Sequence, residues 1–351
     1  MNWWNPRFED SSIGPYVLKA VNEHKFSEGS LAVYFQERMA KALKVEHAVA
    51  LNSGSSALAV GMLALGVKPG DEVILPDRTW IGTAHAVKLI GAVPVLVDVQ
   101  EDRPLMDIRA VEKAITDKTK VIIPVHLNGF AVDMEILLPL ARHKGIKVLE
   151  DACQALFSRR HGQHLGTVGD IGCYSLSWSK LICAGQGGIA VTNDPELFEK
   201  MRKIRHHGVD NAYDSSWGQF GFNFRWTDIQ AALAVPQLGV VDRDIARLKE
   251  NHARYVEADI GVIPTESGEE VPLYTSCLSK RRDELVKFLG DRDIGCRVLW
   301  PSIHTSPAVG SDEKFPNSDR FAQEEFYLPS GHALASEDVD SVISAVREFQ
   351  G

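Results

Sequence analysis

Several things are scarce in this 351-residue chain. No apolar run approaches the roughly 18 residues of a membrane span, and the opening MNWWNPRFEDSSIGPY lacks the basic start and apolar middle of a secretory signal. Cysteine is limited to Cys153, Cys173, Cys183, Cys277 and Cys296, an odd and scattered set without a CxxC pair. That argues against a zinc or disulfide framework, and a reducing cytoplasm is the expected setting. Positive charge is in deficit: Lys plus Arg total 38 against 47 Asp plus Glu, a formal net charge of −9. The balance argues mildly against nucleic-acid or anionic-membrane partners. There is no internal repeat and no low-complexity tract. With 44% hydrophobic and 24% charged residues, the composition excludes wholesale disorder, a collagen-like fibre and a coiled coil. No metal is expected, and a chain of this length buries a large core without one.

What is present is alternation. HAVALNS, EVILP, VPVLVDV, KVIIPVH, KVLEDA, CYSLS and GGIAVTN are seven strand-like runs between Glu46 and Asn193. Helical patterns separate several of them: SSALAVGMLALG, GTAHAVKLIGA, IRAVEKAI and MEILLPLARHKG. Such alternation predicts an α/β fold, a mostly parallel seven-stranded sheet flanked by helices. The uninterrupted apolar character of the runs fits strands buried on both faces. Later segments read as helices at PELFEKMRKIRHHG, 227–238 and 242–256. After an interruption at 257–272, KRRDELVKFLGDRDIGCRVLW reads as helix then strand, and SEDVDSVISAVREF as a closing helix. The expected division is an N-terminal arm (1–25), a large domain (26–235) and a smaller C-terminal α+β domain (236–351).

In open α/β sheets, ligands bind beyond the carboxyl ends of the strands. After the first run, Ser53-Gly54-Ser55-Ser56 opens a helix. That is either an ordinary N-cap or an anion cradle of small residues at a helix N-terminus. It is neither a Walker loop nor GxGxxG, which disfavours a nucleotide-dependent dehydrogenase. After EVILP, Trp80 could stack on a flat ring or serve as a lid. After KVLE, Asp151 ends an apolar strand, where a carboxylate is costly without a partner such as a protonated pyridine nitrogen; a helix cap or surface pair is the alternative. After CYSLS comes Lys180, flanked by Trp178, Leu181 and Ile182. Desolvation there would favour the neutral amine of a Schiff-base nucleophile. Cradle, aromatic, carboxylate and lysine on successive strands of one sheet make a set suited to pyridoxal 5′-phosphate (PLP).

The ordered motifs LALGVKPGDEVILP, GAVPVLVDV, TDKTKVIIPVHLNG, KVLEDACQA, HLGTVGDIGCYSLS, GQGGIAVTND, GFNFRWTDIQAAL, DIGCRVLWPSIH and YLPSGHAL span nearly the whole chain. Through them the chain resembles the DegT/DnrJ/EryC1/StrS family, PLP-dependent sugar aminotransferases of fold type I. The resemblance implies that Lys180 carries PLP and then shuttles protons, and that Asp151 keeps the pyridine nitrogen protonated. Trp80 would stack on the ring, and Gln154 would lie against the cofactor. Ser55, Ser56 and Ser175 would bind its phosphate. Asn223 would reach the phosphate of the neighbouring subunit, which makes a homodimer part of the expectation.

The implied reaction is ping-pong transfer of an amino group from glutamate, or glutamine, to a keto-sugar. That acceptor is expected to be nucleotide-linked, of the 3- or 4-keto-6-deoxy type, in amino-sugar biosynthesis. Ser177 stands where the family often has His, and Gln186 where it often has Glu; both departures bear on the substrate. Lys180 argues against the branch that carries His in its place for C–O cleavage. An aminotransferase of free keto-cyclitols or unactivated keto-sugars, and a non-catalytic PLP-binding sensor, are the other readings. Ser177, Arg225, His304 and Tyr274 are candidate substrate contacts, with structural pairing open for the last three. His206 and His207 read as cationic helix caps. The pair Trp3-Trp4 could dock on a partner subunit or a sugar base.

Overall fold

A computed structural model describes residues 1–6, 10–24, 26–210 and 218–351. Residues 7–9 and 25 of the expected N-terminal arm lie outside the described residues.

The seven runs form the strands of one sheet: β1 (His47–Leu51), β2 (Glu72–Pro76), β3 (Val93–Val97), β4 (Thr119–Ile122), β5 (Lys147–Asp151), β6 (Ile171–Ser175) and β7 (Gly188–Thr192). Their spatial order is β1-β7-β6-β5-β4-β2-β3. Every pairing is parallel except those of β7, which runs antiparallel to both neighbours. Successive side chains on a strand face opposite sides, and the packing follows that period. Val49, Leu51 and Ala190 belong to one apolar cluster, whereas Ala48, Ala50, Ile189 and Val191 belong to another. The sheet is thus buried on both faces, which is why its strands read as continuous apolar runs.

The flanking helices are α1 (Asp10–Asn22), α2 (Ser30–Leu43), α3 (Gly54–Ala64), α4 (Gly82–Leu89), α5 (Ile108–Ala114), α6 (Met134–Lys144), α7 (Pro195–Arg205) and α8 (Asp228–Ala234). Local chemistry sets their ends. Helix α6 stops on Gly145 in the left-handed region (φ 66°), and Asp194 accepts the backbone N–H groups of Glu196 and Leu197 at the start of α7. Two expectations need correction. The helix expected over 227–238 ends at Ala234, and a 3₁₀ turn follows at Pro236–Gly239, because Pro236 has no N–H to continue the ladder. The run KVIIPVH forms a strand only as far as Ile122, two residues ahead of Pro124.

The C-terminal part holds α9 (Val241–Glu257), β8 (Thr275–Leu278), α10 (Arg282–Gly290), β9 (Arg297–Val298), α11 (Pro316–Glu324), β10 (Glu325–Leu328) and α12 (Ser336–Gln350). Strand β10 is central in an antiparallel three-stranded sheet. Tyr255, Leu285, Leu289, Phe326, Val339 and Val342 form its own apolar core. A fully buried ion pair, Arg78 to Glu325 at 2.7 Å, ties the loop after β2 to β10. Removing either partner would strand a buried charge.

The first residues dock on their own chain. Trp4 forms a bridge with Ser330, the Asn5 N–H donates to the Ser330 carbonyl (2.9 Å), and Trp4 is 2% exposed. The Trp3-Trp4 pair thus makes an intrachain contact, with Trp4 buried and Trp3 half-buried.

Burial holds the His252 imidazole of α9 down to about 4, from an ordinary 6.5. The folded value lies below the unfolded one, so this stability is complete above about 6.5 and drains away as pH falls toward 4. The thermal midpoint should drop across that window, and His252→Gln should flatten the slope. A variant with the wild-type slope contradicts the assignment.

Candidate active site

The site forms where β1, β2, β5 and β6 end. Ser53 caps α3, its hydroxyl accepting the Ser56 N–H at 3.0 Å. The Ser56 hydroxyl lies 2.8 Å from that of Ser53 and donates to Asn52 Oδ1 at 2.6 Å. The N-cap reading therefore holds, and Ser56 is committed within the cap. Ser55 faces the cavity instead. The start of α3 comes unusually close to its neighbours. A Cβ on Gly54 would stand 2.9 Å from Cys153 Sγ and 3.1 Å from Ser175 Cβ, and one on Gly188 would stand 2.2 Å from the Ser53 carbonyl oxygen. Glycine at these positions lets the free N–H groups of the α3 N-terminus approach Ser175, a ready anion cradle.

Asp151 is the last residue of β5. Its Oδ2 accepts the Thr83 hydroxyl at 2.8 Å and its Oδ1 accepts the Cys153 N–H at 3.1 Å. It is 4% exposed and, among the described residues, has no cationic partner within ion-pair distance. Its neighbour Glu150 points to the other side of the strand. There it accepts N–H groups of Gly166 (2.8 Å), Val168 (2.8 Å) and Gly169 (2.6 Å) and lies 2.9 Å from His126 Nε2. Burial and the Asp151 charge push the Cys153 thiol well up, so it stays protonated.

Lys180 is half-buried. Leu181 and Ile182 beside it are buried, while Trp178 is 51% exposed. Its Nζ lies 3.4 Å from the Tyr274 hydroxyl and 5.4 Å from that ring's centroid. Tyr274 donates to the Ser179 carbonyl at 2.8 Å, so its oxygen is oriented to accept from the lysine.

One cavity of about 300 Å³ is lined by Ser55, Trp80, Asp151, Gln154, Ser175, Ser177, Lys180, Gln186 and Tyr274. Trp80 is 48% exposed and lines the cavity, with Trp300 packed against it at 5.3 Å. Gln154 is fixed by accepting the Asn128 N–H at 3.0 Å. Besides Ser56, three expected residues lie apart from this lining. Asn223 is exposed and accepts from Arg225 Nε at 3.1 Å. Arg225 is also 3.4 Å from His206. His304 is held by Asp77, at 2.8 Å through Nδ1 and 2.7 Å through its N–H. His206 ends α7 beside Glu28 at 3.0 Å, and burial lowers its affinity for a proton, against the cationic cap expected there. Thr83, Arg297 and Trp300 also line the cavity and were not anticipated. Thr83 had one weak signal, standing in the first turn of α4 just after Trp80; Arg297 and Trp300 arrive from the distant small sheet.

The donor set fits PLP. The cradle suits a phosphate, Trp80 a planar ring, the unpaired buried Asp151 a protonated ring nitrogen, and Lys180 an aldehyde carbon. Fold and site together define a fold-type I PLP-dependent aminotransferase. The chain belongs to the DegT/DnrJ/EryC1/StrS aminotransferase family, which it matches over residues 8–347. It is 36% identical over 345 residues to the dTDP-3-amino-3,4,6-trideoxy-α-D-glucose transaminase of Streptomyces venezuelae, covering 95% of this chain and 90% of that one. It is 34% identical to the GDP-perosamine synthase of Caulobacter vibrioides, covering 96% and 95%. The crystal structure of S. venezuelae DesV superposes with a TM-score of 0.93 at 33% identity, covering 97% of this chain and 94% of that one.

Thr83→Val removes one of the two hydrogen bonds that orient Asp151. Turnover should fall roughly 10-fold, the worth of one hydrogen bond to a charged group. Steady-state kinetics of the holoenzyme with an amino donor and a keto-sugar acceptor check this, and an unchanged kcat contradicts it.

Proposed function

We propose that this aminotransferase moves the amino group of glutamate, or glutamine, to a nucleotide-linked keto-sugar of the 3- or 4-keto-6-deoxy type. It would act in the cytoplasm, in amino-sugar biosynthesis. The observation that carries the reading is the meeting of Lys180 and the unpaired Asp151 in one cavity beside an anion cradle. The relatives named above, whose names specify dTDP- and GDP-linked sugars, support the acceptor class.

PLP supplies an electron sink that acidifies the hydrogen on the carbon bearing the substrate's amine. The chain does the rest. Ser55, Ser175 and the α3 N–H groups bind the phosphate; Trp80 covers one ring face and Gln154 lies against the ring. Asp151 holds the proton on the ring nitrogen. Lys180 Nζ would bind the cofactor between turnovers and, once released, would move a proton from the donor carbon to the cofactor carbon in the first half-reaction and from the cofactor carbon to the acceptor carbon in the second. Ser177 and Gln186, both lining the cavity, stand on the substrate side.

A homodimer completes this reading. Asn223 sits on a surface segment with Phe220 and Phe222, which are 68% and 57% exposed. Two bare rings beside a polar side chain fit a surface covered by a second copy, with Asn223 reaching the partner's cofactor phosphate. The separate core around Phe326 and Val342 supports the division into a large domain (26–235) and a small one (236–351), with residues 1–25 as an arm.

Glutamate alone should convert the bound cofactor, one equivalent per chain, to pyridoxamine phosphate, seen as loss of visible absorbance. A nucleotide-linked keto-sugar should then restore the aldehyde form. No conversion would leave a binding or sensor protein; restoration only by a free keto-cyclitol would move the acceptor to that class.

A further inference from the structure

Arg297 plays no part in holding the cofactor in the reading above, yet it lines the Lys180 cavity. It lies on β9, opposite Tyr327. Its guanidinium carbon is 4.6 Å from the ring centroid of Trp3 and 5.8 Å from that of Trp300. Among the described residues its side chain makes no hydrogen bond and no ion pair. An arginine is weakly hydrated and stacks readily on aromatic rings, but its N–H groups lie at its edge and need acceptors. Here the guanidinium carbon sits over two rings, and the side-chain N–H groups have no hydrogen-bond partner among the described residues.

Both rings are held in place. Trp3 packs edge-on to Trp178 at 5.7 Å. Its backbone is pinned where its carbonyl accepts the Ser330 N–H (2.9 Å), and the Met1 carbonyl accepts the Gly295 N–H (2.9 Å). Trp300 stands edge-on to Trp80 at 5.3 Å, and its carbonyl accepts from Arg78 Nη1 at 2.7 Å. The cavity's other formal charges, Asp151 and Lys180, are assigned to the cofactor. Among the described residues lining the cavity, Arg297 is the one formal charge left for a substrate.

We propose that Arg297 is the receptor for the α-carboxylate of the amino donor, and that Trp3 and Trp300 are positioning residues that hold its edge toward the cavity. This rests on the transaminase reading. A guanidinium edge matches a carboxylate in a bidentate pair. The diphosphate of a nucleotide sugar has related chemistry, but placement favours the donor. The donor's carboxylate is bonded to the carbon whose amine must come to the Lys180 position, within this cavity. A sugar diphosphate lies several bonds from the reacting carbonyl, toward the mouth.

The two half-reactions of the holoenzyme can be followed separately in single turnovers through cofactor absorbance. In Arg297→Gln, the apparent Kd for glutamate should rise about 10- to 100-fold, with the keto-sugar half-reaction unchanged. Titration with α-methylglutamate, which has no α-hydrogen to lose, should show the same weakening without turnover. Trp3→Ala should raise the glutamate Kd by a smaller factor, and Trp3→Phe should restore it. If Arg297→Gln loses cofactor or thermal stability, Arg297→Lys decides: a Kd between wild type and complete loss of saturation supports the bidentate receptor, and a wild-type Kd overturns it. An unchanged glutamate Kd in Arg297→Gln, or a defect confined to the keto-sugar half-reaction, also overturns it. In either case conversion of the wild-type cofactor by glutamate still upholds the transaminase reading; failure of that conversion removes the reading itself.

Discussion

Two adjacent buried carboxylates at the end of β5 organise the molecule. Strand geometry sends Glu150 and Asp151 to opposite sides. Glu150 meets three backbone N–H groups of the 166–169 loop and His126, so its charge is fully used in fixing structure. Asp151 meets the Thr83 hydroxyl and Cys153, and among the described residues no cation. A buried carboxylate without a cation is expensive, and that cost suits a site whose ligand brings its own positive charge. The same strand end thus locks one loop and leaves one acid waiting on a cofactor.

The short segment Asp77-Arg78-Thr79-Trp80 carries the second constraint. Asp77 holds His304, Arg78 holds Glu325, and Trp80 faces the cavity. Burial raises the Asp77 pKa, while the His304 bonds work against that rise. Two buried polar attachments therefore set the aromatic that faces the cavity, and they join the large sheet to the small one at the same place. Trp178, Trp300 and Tyr274, which line the cavity, and Trp3, packed on two of them, depend on that junction, because they come from distant parts of the chain.

Much of this was legible in the sequence, for a physical reason. Strands buried on both faces read as plain apolar runs, and in a parallel sheet the residue following each run lands at one edge. Ser55, Asp151 and Lys180 could therefore be placed without knowing the strand order, while Ser175 came from the family resemblance. Pro124 and Pro236 shortened elements whose hydrophobic pattern carried on past them. Thr83 was missed because its partner lies 68 residues away. Trp3 and Arg297 were missed as a pair because nothing local joins residue 3 to residue 297; only docking of the N-terminus beside β9 and β10 does so. His304 and Arg225 had the right chemistry for substrate contacts, yet the fold gives each a protein partner outside the cavity lining.

The central claim is that Lys180 holds the cofactor in the cavity that Asp151 faces. Borohydride reduction of the holoenzyme, followed by peptide mass spectrometry, tests it most directly. The account predicts a single phosphopyridoxyl adduct on the peptide containing Lys180, and none in Lys180→Ala, which should also lose turnover. An adduct on another lysine, or wild-type turnover in Lys180→Ala, would contradict it.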